Sequence, residues 1–447
     1  MDRQVKKEPR ITVGVIDRQA EVAGQLNGSF ACEDSVTISG RFSAKPTEGT
    51  IAFADGSGRE ICRLPLIRLV SGQGSSFLLR NVTAGKGFHW ERKEDQTFAG
   101  DLLLRLRQDG TIAAVNEIPL EDYLTIVISS EMNAAAPKEF LKAHAILSRS
   151  WLLAALGRKE KTDQPSIKIE RQAEDGREFV RWYEREAHDL FDVCADDHCQ
   201  RYQGMTKAAS GQAAEAVRET RGMAITCRGE ICDARYSKAC GGITEEFETA
   251  WAATPVPYLQ SISDASARHP PIASEEDASR WILSEPEAYC NVGDGGLLET
   301  ILPRFDRTTK DFFRWKVEYS RTELEEILLE KSGIDFGTLR EIVPLQRGPS
   351  GRIARLKIAG SKRTVVVGKE LEIRKWLSGS HLYSSAFVVT VNRDPRGEAE
   401  RFVFHGAGWG HGVGLCQIGA AVMAARGFTT GQILKHYFKN VEIEEIY

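Results

Sequence analysis

The sequence predicts an α+β chain. Three observations carry that prediction: short β-branched and aromatic runs through the first hundred or so residues, a glycine-free helical stretch over 137–156, and a segment from 272 to 395 in which both textures recur. The β runs lie at 11–16, 36–42, 51–54, 61–69 and 77–82, separated by Gly and Ser clusters such as 71–74, the punctuation expected between strands. Two more, 100–107 and 111–117, flank Gln108-Asp109-Gly110, and Asp-Gly between alternating apolar runs is a hairpin signal. In 137–156, Phe140, His144, Leu147, Trp151 and Ala155 recur at spacings of one helix face. Pro137 suits a first helical turn and Gly157 a stop. The charged stretch 159–177 reads as a solvated linker or helix, and 236–251 as strand-like. Within 272–395, helices are expected at 322–331 and 369–377 and strands at 352–358, 364–367 and 387–391. Two short helices follow residue 420, the last opened by the capping-box spacing of Thr429 and Gln432.

At 447 residues the chain exceeds one ordinary core, so two or three domains are expected. Fifty-nine basic and 63 acidic side chains leave a net charge of −4, a balance without the basic excess of a nucleic-acid binder. No apolar run approaches the ~20 residues of a membrane span. The run 11–16 after a charged start is too short and β-branched for a signal-peptide core. Either the protein stays inside the cell or a leader has been removed. Nine cysteines over this length do not make the disulfide framework of a small secreted domain.

Three segments concentrate chemistry. In the first, Glu131 ends an apolar run of Tyr123, Leu124, Ile126, Val127 and Ile128, ahead of the long helix. Apolar neighbours disfavour a charged carboxylate and so suit a general acid. From the local residues alone, an exposed glutamate in a first helical turn, favoured by the macrodipole, is the simpler reading. In the second, residues 405–420 hold six glycines, a density that lets backbone come close to a ligand or to another segment. With no Gly-Lys-Ser/Thr, this is no phosphate loop, and it lacks the dinucleotide fingerprint. A tight loop presenting Trp409, His411 and Gln417 to a cleft remains. In the third, Cys194, His198 and Cys199 put two thiols and an imidazole within six residues, donors that zinc prefers. Free cysteines or a local disulfide are the alternatives.

The run 118–156 resembles the signature of the SpoIID/LytB family: an Ile/Leu-Pro-Leu-Glu-x-Tyr-Leu turn, a Glu-Met pair, and a helix ending near Ala-Arg-Thr-Tyr. Here these are Ile118 to Leu124, Glu131-Met132 and Ser148-Arg149-Ser150-Trp151. His144 stands where the family usually has Gln, and on the apolar stripe it reads as a core histidine. The block 405–420 is similar to the family's Gly-Trp-Gly-His-Gly-Val-Gly-Met-Ser-Gln-x-Gly-Ala, with Leu415 for Met and Cys416 for Ser. Residues 234–245 resemble its Tyr-x-Ser-x-x-Gly-Gly-x-Thr turn.

The resemblance implies a SpoIID-like catalytic core with mixed sheets and an active-site helix. That core would be split into 111–271 and 396–447, with a β-rich region at 1–110 and an inserted α+β subdomain at 272–395. It implies a peptidoglycan lytic transglycosylase with Glu131 catalytic, and Arg149, Tyr236, Ser237, Thr244, Trp409, His411 and Gln417 on the glycan. Some family members carry a Cys/His metal site, so Cys194 and His198 are the expected zinc ligands, although the chemistry itself requires no cofactor. Peptidoglycan strands, and in the LytB branch a cell-wall amidase, are the expected partners, in the cell envelope. A non-catalytic peptidoglycan-binding module that enhances an amidase and a zinc hydrolase are the competing readings.

Overall fold

The computed structural model describes residues 7–32, 36–86, 91–159, 168–173, 176–182, 188–205, 211–293, 295–303, 306–307, 309 and 311–447. Helices and several sheets are mixed, as an α+β chain requires. The chain forms two compact units: Met1–Arg149 with Ala187–Ala224 and Glu444–Tyr447, and Ser150–Glu186 with Ile225–Ile443.

The first unit is built on ten consecutive strands, β1 (Arg10–Gln19), β2 (Val22–Cys32), β3 (Val36–Thr47), β4 (Thr50–Asp55), β5 (Glu60–Leu64), β6 (Leu66–Ser71), β7 (Ser76–Ala84), β8 (Arg92–Ala99), β9 (Asp101–Leu106) and β10 (Ile112–Pro119). With Val193–Cys194 they make an 11-stranded sheet, in the order Val193–Cys194, β1, β10, β9, β6, β2, β3, β4, β5, while β7 bridges β2 and β8. Alternating burial along β4, β6 and β7 puts one face inward. β9 and β10, buried on both faces, join through the expected turn, where Gly110 has φ 78°.

Expectation and structure part in four places. The run 61–69 breaks at Pro65 into β5, which pairs with β4, and β6, which pairs with β9 and β2; proline supplies no ladder donor. β2, rich in Gly, Asn and Ser, and β8, largely charged, carry little β propensity, and their neighbours make them strands. Of the stretch 159–177, residues 160–167 and 174–175 lie outside the described residues, and the rest beyond Lys159 is strand: Lys168–Ala173 and Gly176–Arg181 form an antiparallel hairpin.

Three helices complete the first unit's environment: α1 (Leu120–Glu131), α2 (Lys138–Lys159), whose residues up to Arg149 belong to it, and α3 (Gly211–Glu219). Glu121 and Asp122 sit in the first turn of α1, favourable to the dipole. Ten of its residues are buried, including Leu120, Tyr123, Leu124, Ile126, Val127 and Ile128, so packing rather than propensity forms the helix. In α2, His144 is fully buried against Phe140, as a core histidine would be. A file of rings ties the strands to α1: Phe30, Phe77, Phe98, Tyr202 and Tyr123 follow one another at centroid separations of 6.4, 5.6, 5.6 and 5.1 Å. Each pair adds about 0.5–1.5 kcal/mol beyond area burial.

The second unit holds a five-stranded sheet, in the order Lys168–Ala173, Gly176–Arg181, Thr364–Gly368, Ile353–Gly360, Leu339–Arg347, and a three-stranded one, Arg314–Ser320, Ala399–Ala407, Phe387–Arg393. Trp315, Leu324, Phe336, Leu356, Trp376 and Phe404 belong to one core shared by both. The helices expected at 322–331 and 369–377 appear as Arg321–Ser332, capped by Ser320 and Gly333, and Glu370–Trp376. The segment 236–251 is not a run of strand. Tyr236–Ser237 makes a two-residue parallel bridge to Leu415–Cys416, and Phe247–Ala250 is helical, because Gly241 and Gly242 at positive φ turn the chain.

Candidate functional site

In the first unit, Glu131 is the last residue of α1, not the head of the next helix, and it is 7% exposed. That removes the reading as an exposed first-turn glutamate. Met132 turns extended, and Pro137 opens the next helix after an Asn133-centred turn in which the Asn133 side chain accepts from Ala135 N at 3.1 Å. The segment 194–203 runs back along the carboxylate. Arg201 N donates to Glu131 Oε1 at 3.0 Å, Gln203 N donates to Ser130 Oγ at 3.2 Å, and Tyr123 Oη donates to Gln200 Oε1 at 3.0 Å. Asp197 ion-pairs with the Arg201 side chain. Burial, with the Glu131 charge adding to it, outweighs that pair and pushes the Asp197 carboxyl up to about 6. Asp197, Gln200 and Arg201 escaped the sequence reading. Their adjacency to the Cys/His run was the only signal.

That same segment carries the metal candidates. Cys194 and His198 are joined by Cys199 and by His188, and the four donor atoms lie within 4.8 Å of one another. Cys199 Sγ is 3.3 Å from His188 Nε2 and 3.4 Å from His198 Nδ1, and Cys194 Sγ is 3.8 Å from His198 Nδ1. Tetrahedral zinc with bonds of about 2.0–2.3 Å spaces its donors about 3.3–3.8 Å apart, so this two-His, two-Cys set fits a divalent zinc-like ion.

Arg149 corrects an expectation. Instead of facing glycan it is fully buried, its fork donating to Glu121 Oε1 at 2.8 Å and Oε2 at 2.6 Å and to Met223 O at 2.9 Å. Tyr447 Oη also donates to Glu121. The Glu of the 118–124 motif and the Arg of 148–151 are therefore partners in an ion pair.

In the second unit, the glycine-rich block lies beside Tyr236 and Ser237. Gly412 needs its residue type: φ is +75°, and a Cβ would stand 2.4 Å from the Arg352 guanidinium carbon. Trp409 stacks on Tyr383 at 4.2 Å and tilts against Phe312 at 4.9 Å, so part of its ring is spent inside the unit. His411 Nδ1 accepts from Val413 N at 3.0 Å. Enclosure of the ring, with Arg235, Arg352 and Arg374 nearby, holds His411 neutral. Its ring meets Trp251 at 4.8 Å, and Arg235 lies over Trp251 at 4.4 Å, held by Asp233 at 2.8 Å. The half-buried group of Arg235, Tyr236, Trp251 and His411 is the polar–aromatic surface of this block; Arg235 was not singled out in the sequence. Ser237 is 7% exposed and Gln417 is buried at the head of Gln417–Ala425. Thr244 is fully buried, its Oγ1 accepting from Ile262 N at 2.9 Å and donating to Gln260 O at 3.3 Å. Thr244 therefore holds the turn, the structural alternative to a glycan contact, and Gln417 faces inward rather than onto an open cleft.

Next to Thr244, Glu245 is fully buried, accepting from Ser350 Oγ at 2.6 Å, Glu246 N at 2.8 Å and Thr249 Oγ1 at 3.1 Å. Burial nonetheless wins and pushes its carboxyl up from 4.5 to about 7. A raised folded-state value means that the fold holds more protons than the unfolded chain between those limits, so stability falls as pH rises from about 4.5 to about 7. The loss is at most about 3 kcal/mol. Glu245→Gln is expected to flatten that slope in melting curves taken across the window; an unchanged slope refutes the assignment.

Comparison with known proteins matches two parts of the chain. A family model described as stage II sporulation protein matches residues 108–227, and a domain of unknown function, DUF8618, matches 245–414. Stage II sporulation protein D of Bacillus amyloliquefaciens is 25% identical over 333 residues, covering 74% of this chain and 76% of that protein. The Bacillus subtilis protein of the same name is 22% identical over the same shares. A Bacillus subtilis amidase enhancer is 25% identical over 50% of this chain and 31% of its own length.

Proposed function

The chain is a SpoIID-family protein with a peptidoglycan-related role, and on that premise we propose that it is a peptidoglycan lytic transglycosylase with Glu131 as general acid and base. The observation that carries this reading is the Glu131 carboxyl, buried at the end of an apolar helix and fixed by the Arg201 N–H at 3.0 Å. Glu131 gives its proton to the glycosidic oxygen between N-acetylmuramic acid and N-acetylglucosamine as the C1–O bond breaks. The carboxylate so formed takes the proton of the muramyl C6 hydroxyl while that oxygen bonds to C1. The product is a 1,6-anhydro end, and no water is consumed. One carboxylate suffices because the nucleophile belongs to the substrate, unlike two-carboxylate hydrolases. Within the second unit, Arg235, Tyr236, Trp251 and His411 are proposed as a separate glycan-contacting surface that acts by stacking and hydrogen bonding.

Zinc is proposed at His188, Cys194, His198 and Cys199, where it would cross-link the segment that runs on to Arg201. Four protein donors fill a tetrahedral ion, leaving no place for the water a zinc hydrolase needs, so that reading is set aside. Cys194→Ser is expected to weaken zinc binding by more than the ~10–100-fold that outer-shell changes cost. Competition with a chromophoric chelator measures this, and equal affinity would remove Cys194 from the site.

The similarity to an amidase enhancer favours one second reading, a peptidoglycan-binding module that stimulates a cell-wall amidase. Either role places the protein in the cell envelope, where the substrate lies. Among the described residues no helix is long and apolar enough to cross a membrane. The deciding experiment incubates the chain with intact sacculi and with glycan stripped of stem peptides, and weighs the products. Anhydro-ended fragments from the wild type but not from Glu131→Gln support the enzyme. Binding without fragments, together with faster release by an added amidase, supports the module.

A further inference from the structure

We propose that Cys240, Asp264, Cys290 and Cys416 form a second metal site, built for a thiophilic divalent ion of the zinc type. The four residues come from separate segments of the second unit, yet their donor atoms lie within 4.8 Å of one another. Cys240 Sγ and Cys290 Sγ are 3.7 Å apart, the edge length of a tetrahedron with zinc–sulfur bonds of about 2.3 Å. Relative exposures are 2%, 0%, 2% and 0% in sequence order. Three thiols and a carboxyl gathered away from water are costly unless something compensates them, and a soft cation does so with all four at once.

The surroundings are those of ligating thiolates. Cys240 N donates to Cys416 Sγ at 3.3 Å, and Gly419 N, in the first turn of Gln417–Ala425, donates to the same sulfur at 3.4 Å. Gly242 N donates to Cys240 Sγ at 3.4 Å. Backbone donors at a helix N-terminus stabilise a thiolate. Asp264 is oriented by outer partners, Tyr437 Oη donating to Oδ1 at 2.6 Å and Cys290 N to Oδ2 at 3.0 Å, the support a metal-bound carboxylate receives. Space is reserved for it: a Cβ on Gly419 would lie 2.4 Å from Asp264 Oδ1.

Charge is also provided for. A divalent ion with three thiolates and one carboxylate carries two excess negative charges. Two guanidinium groups stand by: the half-buried Arg314, held by Gly241 O at 3.0 Å and Ser284 O at 2.8 Å, and the buried Arg352, which donates to Cys240 O at 3.0 Å. The Cys416 that departs from the family's Ser is thus one quarter of a donor set rather than a lost hydroxyl.

The test is metal content of the full chain, purified with reductant and without chelator and measured by plasma mass spectrometry. Two equivalents of zinc are expected in the wild type. One should remain in a Cys194→Ala/Cys199→Ala variant, and one in a Cys290→Ser variant. Should Cys290→Ser fail to fold, zinc-edge X-ray absorption of the wild type serves instead, where both sites filled give more sulfur per zinc than the two-His, two-Cys cluster alone. A single equivalent in the wild type with only that cluster's sulfur count overturns the proposal. So does a Cys240–Cys290 disulfide found by mass spectrometry after alkylating the chain without reductant. None of these readouts depends on whether the chain cleaves glycan.

Discussion

Glu131→Gln is expected to lower the rate of anhydro-fragment release by about 10²–10⁴-fold, the range a positioned proton donor contributes. The amide keeps the length and planar shape of the carboxyl and retains an acceptor for the Arg201 N–H now at 3.0 Å, but it has no proton to give. Because the side chain is only 7% exposed, replacing an ionisable group by a neutral one costs the fold little, and the melting temperature should hold or rise. Glycan affinity, carried by other groups, should stay within a few-fold. Glu131→Asp tests position: withdrawing the carboxyl by one methylene displaces it by more than 1 Å, enough for about 10²-fold. A Gln variant that retains a tenth of the wild-type rate would end the assignment and turn attention to Asp197, the half-buried carboxyl of the neighbouring segment, raised to about 6.

The second large effect concerns stability. Arg149→Ala is expected to cost about 3–5 kcal/mol, because it strands a buried carboxylate. Glu121 now receives both arms of the Arg149 fork at 2.8 and 2.6 Å, a contact from Gly222 N at 3.4 Å, and the Tyr447 hydroxyl. Truncating the cation leaves that charge inside. Arg149→Lys should recover only part, since an ammonium cannot reproduce the fork. The double variant Glu121→Gln/Arg149→Met should be more stable than Arg149→Ala, because no charge is left alone. Urea unfolding of the four proteins ranks their stabilities. If Arg149→Ala unfolds at the wild-type midpoint, the pair is ornamental; if it stays folded but loses glycan affinity, Arg149 returns to the substrate.

Legibility in the sequence followed the range of the forces involved. Strands with strong alternation or flanked by Asp-Gly were readable, because periodicity and turn chemistry are local. β2 and β8 were not, since glycines, serines and charges there become strand only through pairing with β3, β6 and β7. The hairpin at 168–181 was hidden for the same reason: Gly176–Arg181 finds its parallel partner in Thr364–Gly368, far along the chain. In the candidate site, Glu131 and the pair Cys194 and His198 were legible as residue types in short motifs. His188 was not, since a lone histidine before a charged stretch carries no spacing signal until the fold brings it to Cys199.

By itself the sequence determined the α+β class, the family resemblance, the identity of the carboxylate to test, and the presence of metal-type donors. Each is a property of neighbours along the chain, where backbone preference, hydrophobic period and motif spacing act. Only the tertiary structure decided that Arg149 neutralises Glu121, that Thr244 and Gln417 face inward, that two histidines and two cysteines converge, and that Cys240, Asp264, Cys290 and Cys416 share one buried centre. Those are facts of charge and desolvation between groups up to 176 positions apart, and such energies exist only once folding has removed the water between them.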